Sequence, residues 1–182
     1  MQELALHILD VLQNAREAGA TLVRLTVEED LVADRLTIVV EDNGRGMDEE
    51  TRKKVLDPFF TTRTTRHVGL GLPLFAAAAE LCNGGLQVES APGKGMRVIA
   101  TFQHSHLDRA PLGHIAETLV AFLLGEPPCD LVYVHRRGGR EFTLDTREVR
   151  QELGEVPLAH PAVREWLRDY VDEGGKNLSD AA

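Results

Sequence analysis

The chain has 182 residues, 43% of them hydrophobic and 27% charged, and a formal net charge of -9. This suits one soluble domain of ordinary size plus an extension, and the acidic balance argues against broad binding to nucleic acid. No apolar run approaches the ~18–20 residues of a membrane span, no basic-then-apolar leader opens the chain, and Cys82 and Cys129 show neither metal spacing nor a disulfide framework, so a cytoplasmic protein with reduced thiols is expected.

In chain order, Leu4, Ile8, Val11, Leu12 and Ala15 recur at helical spacing, and Gly19 is a stop. "TLVRLTVEED" alternates Leu22, Arg24 and Thr26 with Val23, Leu25 and Val27, which reads as a half-buried strand, and "RLTIVVE" is a second. Asp48 to Glu50 opens a short helix. "DPFFTTRTTRHVG" has no period and reads as a loop, and "LGLPLFAAAAELC" as a helix that stops at Asn83-Gly84-Gly85. "LQVES" and "GMRVIATF" are strands joined by a turn over 91–95. Near His104 a seam divides an N-terminal unit, 1–103, from an extension, 104–182. The extension reads as a helix over 111–124, a strand pair over 131–135 and 141–144 with a Gly138-Gly139 hairpin, and helices over 146–153 and 161–171. From Gly174 the chain end reads as frayed.

Three stretches carry chemistry. In "VVEDNGRGM", Asp42 ends a strand, where a fixed carboxylate suits an exocyclic amine such as that of adenine. Gly44 and Gly46 let a flat ring approach the backbone, although Asp-Asn-Gly is also a common turn. In "VGLGLPLF", Gly69 and Gly71 precede a helix whose free N–H groups attract phosphate, or they simply make a tight corner. In "DVLQNAREAGA", Asp10, Asn14 and Glu17 share one helical face, either a solvated stripe or, through the Asn14 amide oxygen, a ligand for Mg²⁺.

Together these pieces resemble the GHKL ATPases: gyrase B, the heat-shock chaperone ATPases, MutL and histidine kinases. "DVLQNAREAGA" is similar to their N-box, "DNGRGM" to the first glycine box, "DPFFTTR" to the histidine-kinase F-box with Phe59 and Phe60, and "GLGLPL" to the second glycine box. The closing "NGGLQVESAPGKGMRVIATF" follows the last strands of a histidine-kinase catalytic domain, so the resemblance covers roughly the first 100 residues. It implies an α+β Bergerat-type sandwich, a mixed sheet layered on helices, with a small α+β C-terminal extension. It also implies ATP and Mg²⁺ as cofactors. Asn14 would hold Mg²⁺, with Glu17 on the same face. Asp42 would read adenine beside Gly44, Gly46 and Met47. Phe59, Thr61, Thr62 and Arg63 (or Arg66) would belong to the F-box and lid. Gly69, Leu70, Gly71 and Leu72 would meet the phosphates.

Asp10 stands where hydrolytic members carry Glu as general base and histidine kinases usually carry Asn. Met96 replaces a Thr that often serves the adenine water. The N-box helix begins near Met1 with no phospho-acceptor hairpin ahead of it, so a stand-alone protein is expected. "SHLDRAPL", Ser105 to Leu112, loosely resembles an acceptor box but reads better as a connector, with Asp108 free to cap the next helix and Pro111 in its first turn. Three uses remain open: a regulatory switch or trans-acting protein kinase, a slow ATP-hydrolysing dimer clamp, and a non-catalytic ATP-sensing module. A protein partner is expected. The extension has three readings: covering a sheet edge, forming a homodimer, or binding that partner.

Overall fold

The computed structural model describes residues 3–57, 59 and 71–180. Its elements are α1 (Leu4–Glu17), β1 (Leu22–Asp30), β2 (Arg35–Asp42), α2 (Glu49–Lys54), α3 (Gly71–Leu81), β3 (Gly85–Ser90), β4 (Met96–Gln103), α4 (Ile115–Leu123), β5 (Asp130–Arg137), β6 (Arg140–Asp145), α5 (Thr146–Leu153) and α6 (Pro161–Ser179). The strands form one six-stranded sheet in the order β3-β4-β2-β1-β5-β6. Among the described residues, β1 and β5 alone pair in parallel, and the other pairs are antiparallel. This is the mixed-sheet α+β sandwich expected above.

The alternation read from the sequence decides which face is buried. Val23, Leu25 and Val27 of β1, Leu36, Ile38 and Val40 of β2, and Val98, Ala100 and Phe102 of β4 all point into the core. Against them lie Ile8, Val11, Leu12 and Ala15 of α1, Phe75 of α3, Phe122 of α4 and Leu167 of α6. Burying each large apolar side chain contributes ~1.5–3 kcal/mol, which is why the stripe outweighs the modest propensities of short helices. On the opposite face, neighbouring strands bring unlike charges side by side. Arg97 lies 3.3 Å from Glu41 and 3.2 Å from Glu89, and Arg136 lies 2.7 Å from Glu141.

The extension continues the sheet. β5 pairs with β1 from Leu22↔Asp130 to Glu29↔Arg137. The two parts of the sequence are also stitched through α1. The buried Arg16 side chain donates from Nε to the Pro127 carbonyl at 3.1 Å and from Nη2 to the Phe122 carbonyl, with its guanidinium carbon 4.2 Å from the Phe122 ring centre. At the far end of β1, Glu29 accepts from His135 and His104, both at 2.8 Å, and from Arg137 at 3.3 Å.

Two expectations change. The α4 helix starts at Ile115, not at residue 111, and its N-cap is His114. Pro111 and Leu112 instead run beside the start of α1, where their carbonyls accept the N–H groups of Leu4 and Ala5 at 3.0 and 2.9 Å. The connector thus satisfies donors that α1 cannot satisfy itself, since its N-cap Glu3 makes no side-chain cap bond. Second, α6 runs on through Gly174 to Ser179 instead of fraying. Gly174 is buried, and a Cβ there would lie 2.3 Å from the Phe142 ring, so the missing side chain lets the helix pack closely on β6. Leu178, one turn on, is 5% exposed and anchors the end.

Candidate nucleotide site

The period-two pattern that buries Leu36, Ile38 and Val40 also places Asp42 on the helix-facing side of β2, at the strand's end. Its backbone neighbours are Val23 on β1 and Met96 on β4. Its Oδ1 accepts the Gly44 N–H at 2.8 Å, which closes a two-residue turn. Burial holds the carboxyl above the usual aspartate range, against the Gly44 and Met96 N–H groups that favour the anion.

The turn after Asp42 is bonded on every side. Asn43 Oδ1 accepts the N–H groups of Thr21 and Leu22 at 2.9 and 3.1 Å, and its Nδ2 donates to Thr21 Oγ1 at 2.9 Å. Arg45 donates its N–H to the Ala18 carbonyl and Nη1 to the Glu17 carbonyl, both at 2.9 Å. Met47 donates its N–H to Ser90 Oγ at 2.9 Å, and that hydroxyl donates to the Gly95 carbonyl at 2.7 Å. The two glycines that raised attention in "DNGRGM" have separate reasons. Gly44 is buried against Ala18, where a Cβ would come within 2.9 Å. Gly46 has φ +69, and a Cβ there would lie 2.0 Å from the Ala91 carbonyl oxygen.

On the helix side, α1 carries Asp10 exposed, Asn14 half-buried and Glu17 exposed, as the seven-residue spacing requires. α3 begins at Gly71, which stands against Asp10, while Leu72 is 5% exposed and belongs to the core. Phe59 is 94% exposed, its N–H donated to Asp57 Oδ1 at 2.9 Å. Thr61, Thr62, Arg63, Gly69 and Leu70 lie outside the described residues.

Sequence reading did not single out three neighbours of Asp42 and its turn: Gly95, Ser90 and Cys129. Gly95 has φ +75, and a Cβ there would meet the Asp42 carbonyl oxygen at 1.8 Å, so the β3–β4 turn lies directly on the Asp42 backbone. Ser90 and the Met96 N–H brace the same wall. The turn over 91–95 was a usable signal for Gly95, and Ser90 is the strand residue that leads into it. Cys129 had none, because it arrives from the extension through the β1–β5 pairing. Burial pushes its thiol up to about 11, and the negative charges of Asp130 and Asp42 push in the same direction.

Residues 2–106 match the family model for histidine kinase-, DNA gyrase B- and HSP90-like ATPases. The chain belongs to this ATPase family. Among curated relatives, it is 34% identical over 109 residues to a putative sensor protein of Shewanella frigidimarina, covering 59% of this chain and 17% of that protein. It is 41% identical over 110 residues to the sensor protein kinase FleS of Pseudomonas aeruginosa, covering 60% and 27%. It is 36% identical over 89 residues to the signal transduction histidine-protein kinase AtoS of Escherichia coli, covering 48% and 14%. The chain therefore spans roughly a quarter or less of the curated relatives it matches. Among solved structures it is similar to full-length ShkA in complex with AMPPNP, with a TM-score of 0.46 and 23% identity over 53% of this chain and 20% of that one. Membership makes the unit an ATP-binding, kinase-like module, and the stretches that resemble the N-box, the two glycine boxes and the F-box all fall inside the matched span. No described helix is long and apolar enough to cross a membrane.

Proposed function

We propose that this member of the ATPase family binds Mg-ATP between α1, α3 and the Asp42 end of β2, and uses it as a regulatory switch or as a protein kinase acting in trans. The observation that carries this reading is Asp42. Its carboxylate is half-buried, fixed by backbone N–H groups and flanked by closely approached backbone at Gly44, Gly46 and Gly95. A rigid acceptor beside a flat backbone wall suits a purine with an exocyclic amine. Met47 would add to that wall.

The residues present also fit a metal-bound triphosphate. Asn14 offers an amide oxygen on the same face of α1 as Asp10 and Glu17, and Mg²⁺ takes few protein oxygens beside phosphate and water. The start of α3 supplies N–H donors at Gly71, next to Leu72, and the glycine box continues upstream through Gly69 and Leu70. Phe59, Thr61, Thr62 and Arg63 would complete the F-box and lid over the ligand. Residues 1–103 would form the ATP-binding unit and 104–182 an extension that receives the signal. Phosphoryl transfer needs chiefly positioning and charge neutralisation, which such a site supplies.

A second reading, slow hydrolysis in a dimer clamp, is favoured by one contact: Asp10 lies beside the first residue of α3, where a carboxylate can orient water toward a phosphate at the helix start. Titration calorimetry with Mg-ATP tests the shared premise. Saturable heat that Asp42→Ala abolishes supports it, and no heat with the parent protein rejects it. Incubation with γ-labelled ATP then separates the uses: label retained on protein supports a kinase, and label released as phosphate supports the clamp.

A further inference from the structure

At the far edge of the sheet, away from Asp42, β6, α5 and α6 enclose an open cavity of about 520 Å³. Its walls are Val149 and Leu153 of α5 and Val163, Trp166 and Tyr170 of α6. Trp166 and Tyr170, one turn apart, stack at 5.0 Å with planes 14° apart, and they remain 48% and 38% exposed. Large aromatic side chains left half-open over an apolar floor are typical of surfaces that bind. Glu148 and Glu152 sit at the mouth, one turn apart on α5. The basic residues of α5 are engaged chiefly by other acids, with Arg147 feeling the Glu148 charge only as a weaker contribution. Arg147 is held by Asp145 at 2.7 Å and Arg150 by Asp130 at 2.8 Å. Among the described residues, Glu148 and Glu152 form no ion pair. Two like charges one turn apart repel each other on the helix, a repulsion that a cation across the groove would remove.

We infer that this groove receives an amphipathic helix of a protein partner, its apolar side seated on Trp166, Tyr170, Val149 and Leu153 and its flanking lysines or arginines paired with Glu148 and Glu152. Charge selects this occupant. A second copy of the chain brings a net charge of -9 to an acidic rim. Its own basic helix, α2, already pairs Lys53 with Glu49 and Lys54 with Glu50. Anionic lipid would meet the same repulsion. Strand addition to β6 is opposed because the Tyr170 hydroxyl donates to the Thr143 carbonyl on that edge, at 3.4 Å. A helix lying between α5 and α6 needs no backbone partner and reads the groove through side chains. The inference does not depend on nucleotide binding.

The sole tryptophan, Trp166, makes the test direct, because its fluorescence reports on this groove alone. The full chain is titrated with a synthetic leucine-faced helix flanked by lysine, and with the same helix flanked by glutamate. The expected result is a saturable blue shift with the lysine peptide at about tenfold higher affinity than with its acidic counterpart. The Glu148→Gln/Glu152→Gln double variant should lose most of that preference, while Glu49→Gln/Glu50→Gln, with the same change in net charge, should keep it. Leu153→Asp should abolish the shift, with folding checked by circular dichroism. No saturable shift, equal response to both peptides, or equal effects of the two glutamate pairs would each overturn the inference. So would tighter response to anionic vesicles than to the lysine peptide.

Discussion

Gly71, the first residue of α3, lies against Asp10: a Cβ built on Gly71 would stand 3.1 Å from Asp10 Cβ and 3.5 Å from Oδ2. The family's candidate base and its candidate phosphate-binding helix start are therefore in contact. Gly71→Ala gains helix propensity of up to ~1 kcal/mol but must push Asp10 or the helix start aside. We expect nearly unchanged melting and a loss of Mg-ATP affinity of about three- to tenfold, read by calorimetry. Asp10→Asn keeps the shape and removes the charge. If Asp10 is a general base, phosphate release falls by about 10²-fold or more while ATP affinity stays within about threefold. Release that persists in this variant would remove Asp10 from that role.

If Asp42 meets the adenine amine as proposed, binding and stability respond to acid with opposite signs. Its folded-state carboxyl holds a proton more tightly than an ordinary aspartate, because it is half-buried. The folded protein gains from this below the ordinary aspartate value and loses the gain as pH rises through the raised one. A protonated carboxyl no longer serves as a strong acceptor for the adenine amine. ATP affinity should therefore fall on acidification, starting at higher pH than for an exposed aspartate. Calorimetry between about pH 4 and 7 measures this. A flat profile would mean that Asp42 does not meet the nucleotide.

Two groups outside the site, buried His7 and partly buried Glu29, define separate acid limbs of stability. His7 packs against Phe75, with ring centres 5.2 Å apart and planes within 5°, and burial lowers its pKa despite the nearby Asp10 charge. Its unfolded form takes a proton first, so stability should decline as pH falls below ~6.5. His7→Phe keeps the stacked ring and should flatten that limb in a series of melts.

Glu29 acts lower on the pH scale. Burial would raise its pKa, but the hydrogen bonds from His135 and His104 and the Arg137 charge prevail and bring it to about 2. The stability it contributes is present above ~4.5 and is lost as pH falls from there toward about 2. Glu29→Ala leaves three donors facing each other and should cost ~2–4 kcal/mol in urea melts at neutral pH. Because Glu29 joins β1 of the N-terminal unit to His104, His135 and Arg137 of the extension, the variant also tests whether the extension unfolds separately: a second transition would appear.

Neighbouring glycines in α6 should respond oppositely to the same change. A Cβ on Gly174 meets the Phe142 ring at 2.3 Å, whereas one on Gly175 meets nothing within 4 Å. Gly175→Ala should stabilise by ~0.5–1 kcal/mol through helix propensity. Gly174→Ala should destabilise by ~1–3 kcal/mol because the ring or the helix must shift. Equal effects would show that α6 does not pack on β6 as described.

Local periodicity was enough to place α1, β1, β2 and the strands of the β3–β4 hairpin. A stripe at Leu4, Ile8, Val11 and Leu12, or an alternation at Leu36, Ile38 and Val40, is readable without any partner. Short-range chemistry also marked Asp42, Gly44 and Gly46, because a turn and a positive φ depend on a few consecutive residues. Other features depend on segments far apart in the chain. Pro111 left its expected helix because its carbonyl serves Leu4, more than a hundred residues away. Gly174 stayed helical because Phe142 fills the space that a side chain would occupy. Cys129 came near Asp42 because β5 chose β1 as its parallel neighbour. Such pairings arise from burial and hydrogen-bond satisfaction over the whole molecule, and no local pattern in a single chain encodes which distant surface will provide them.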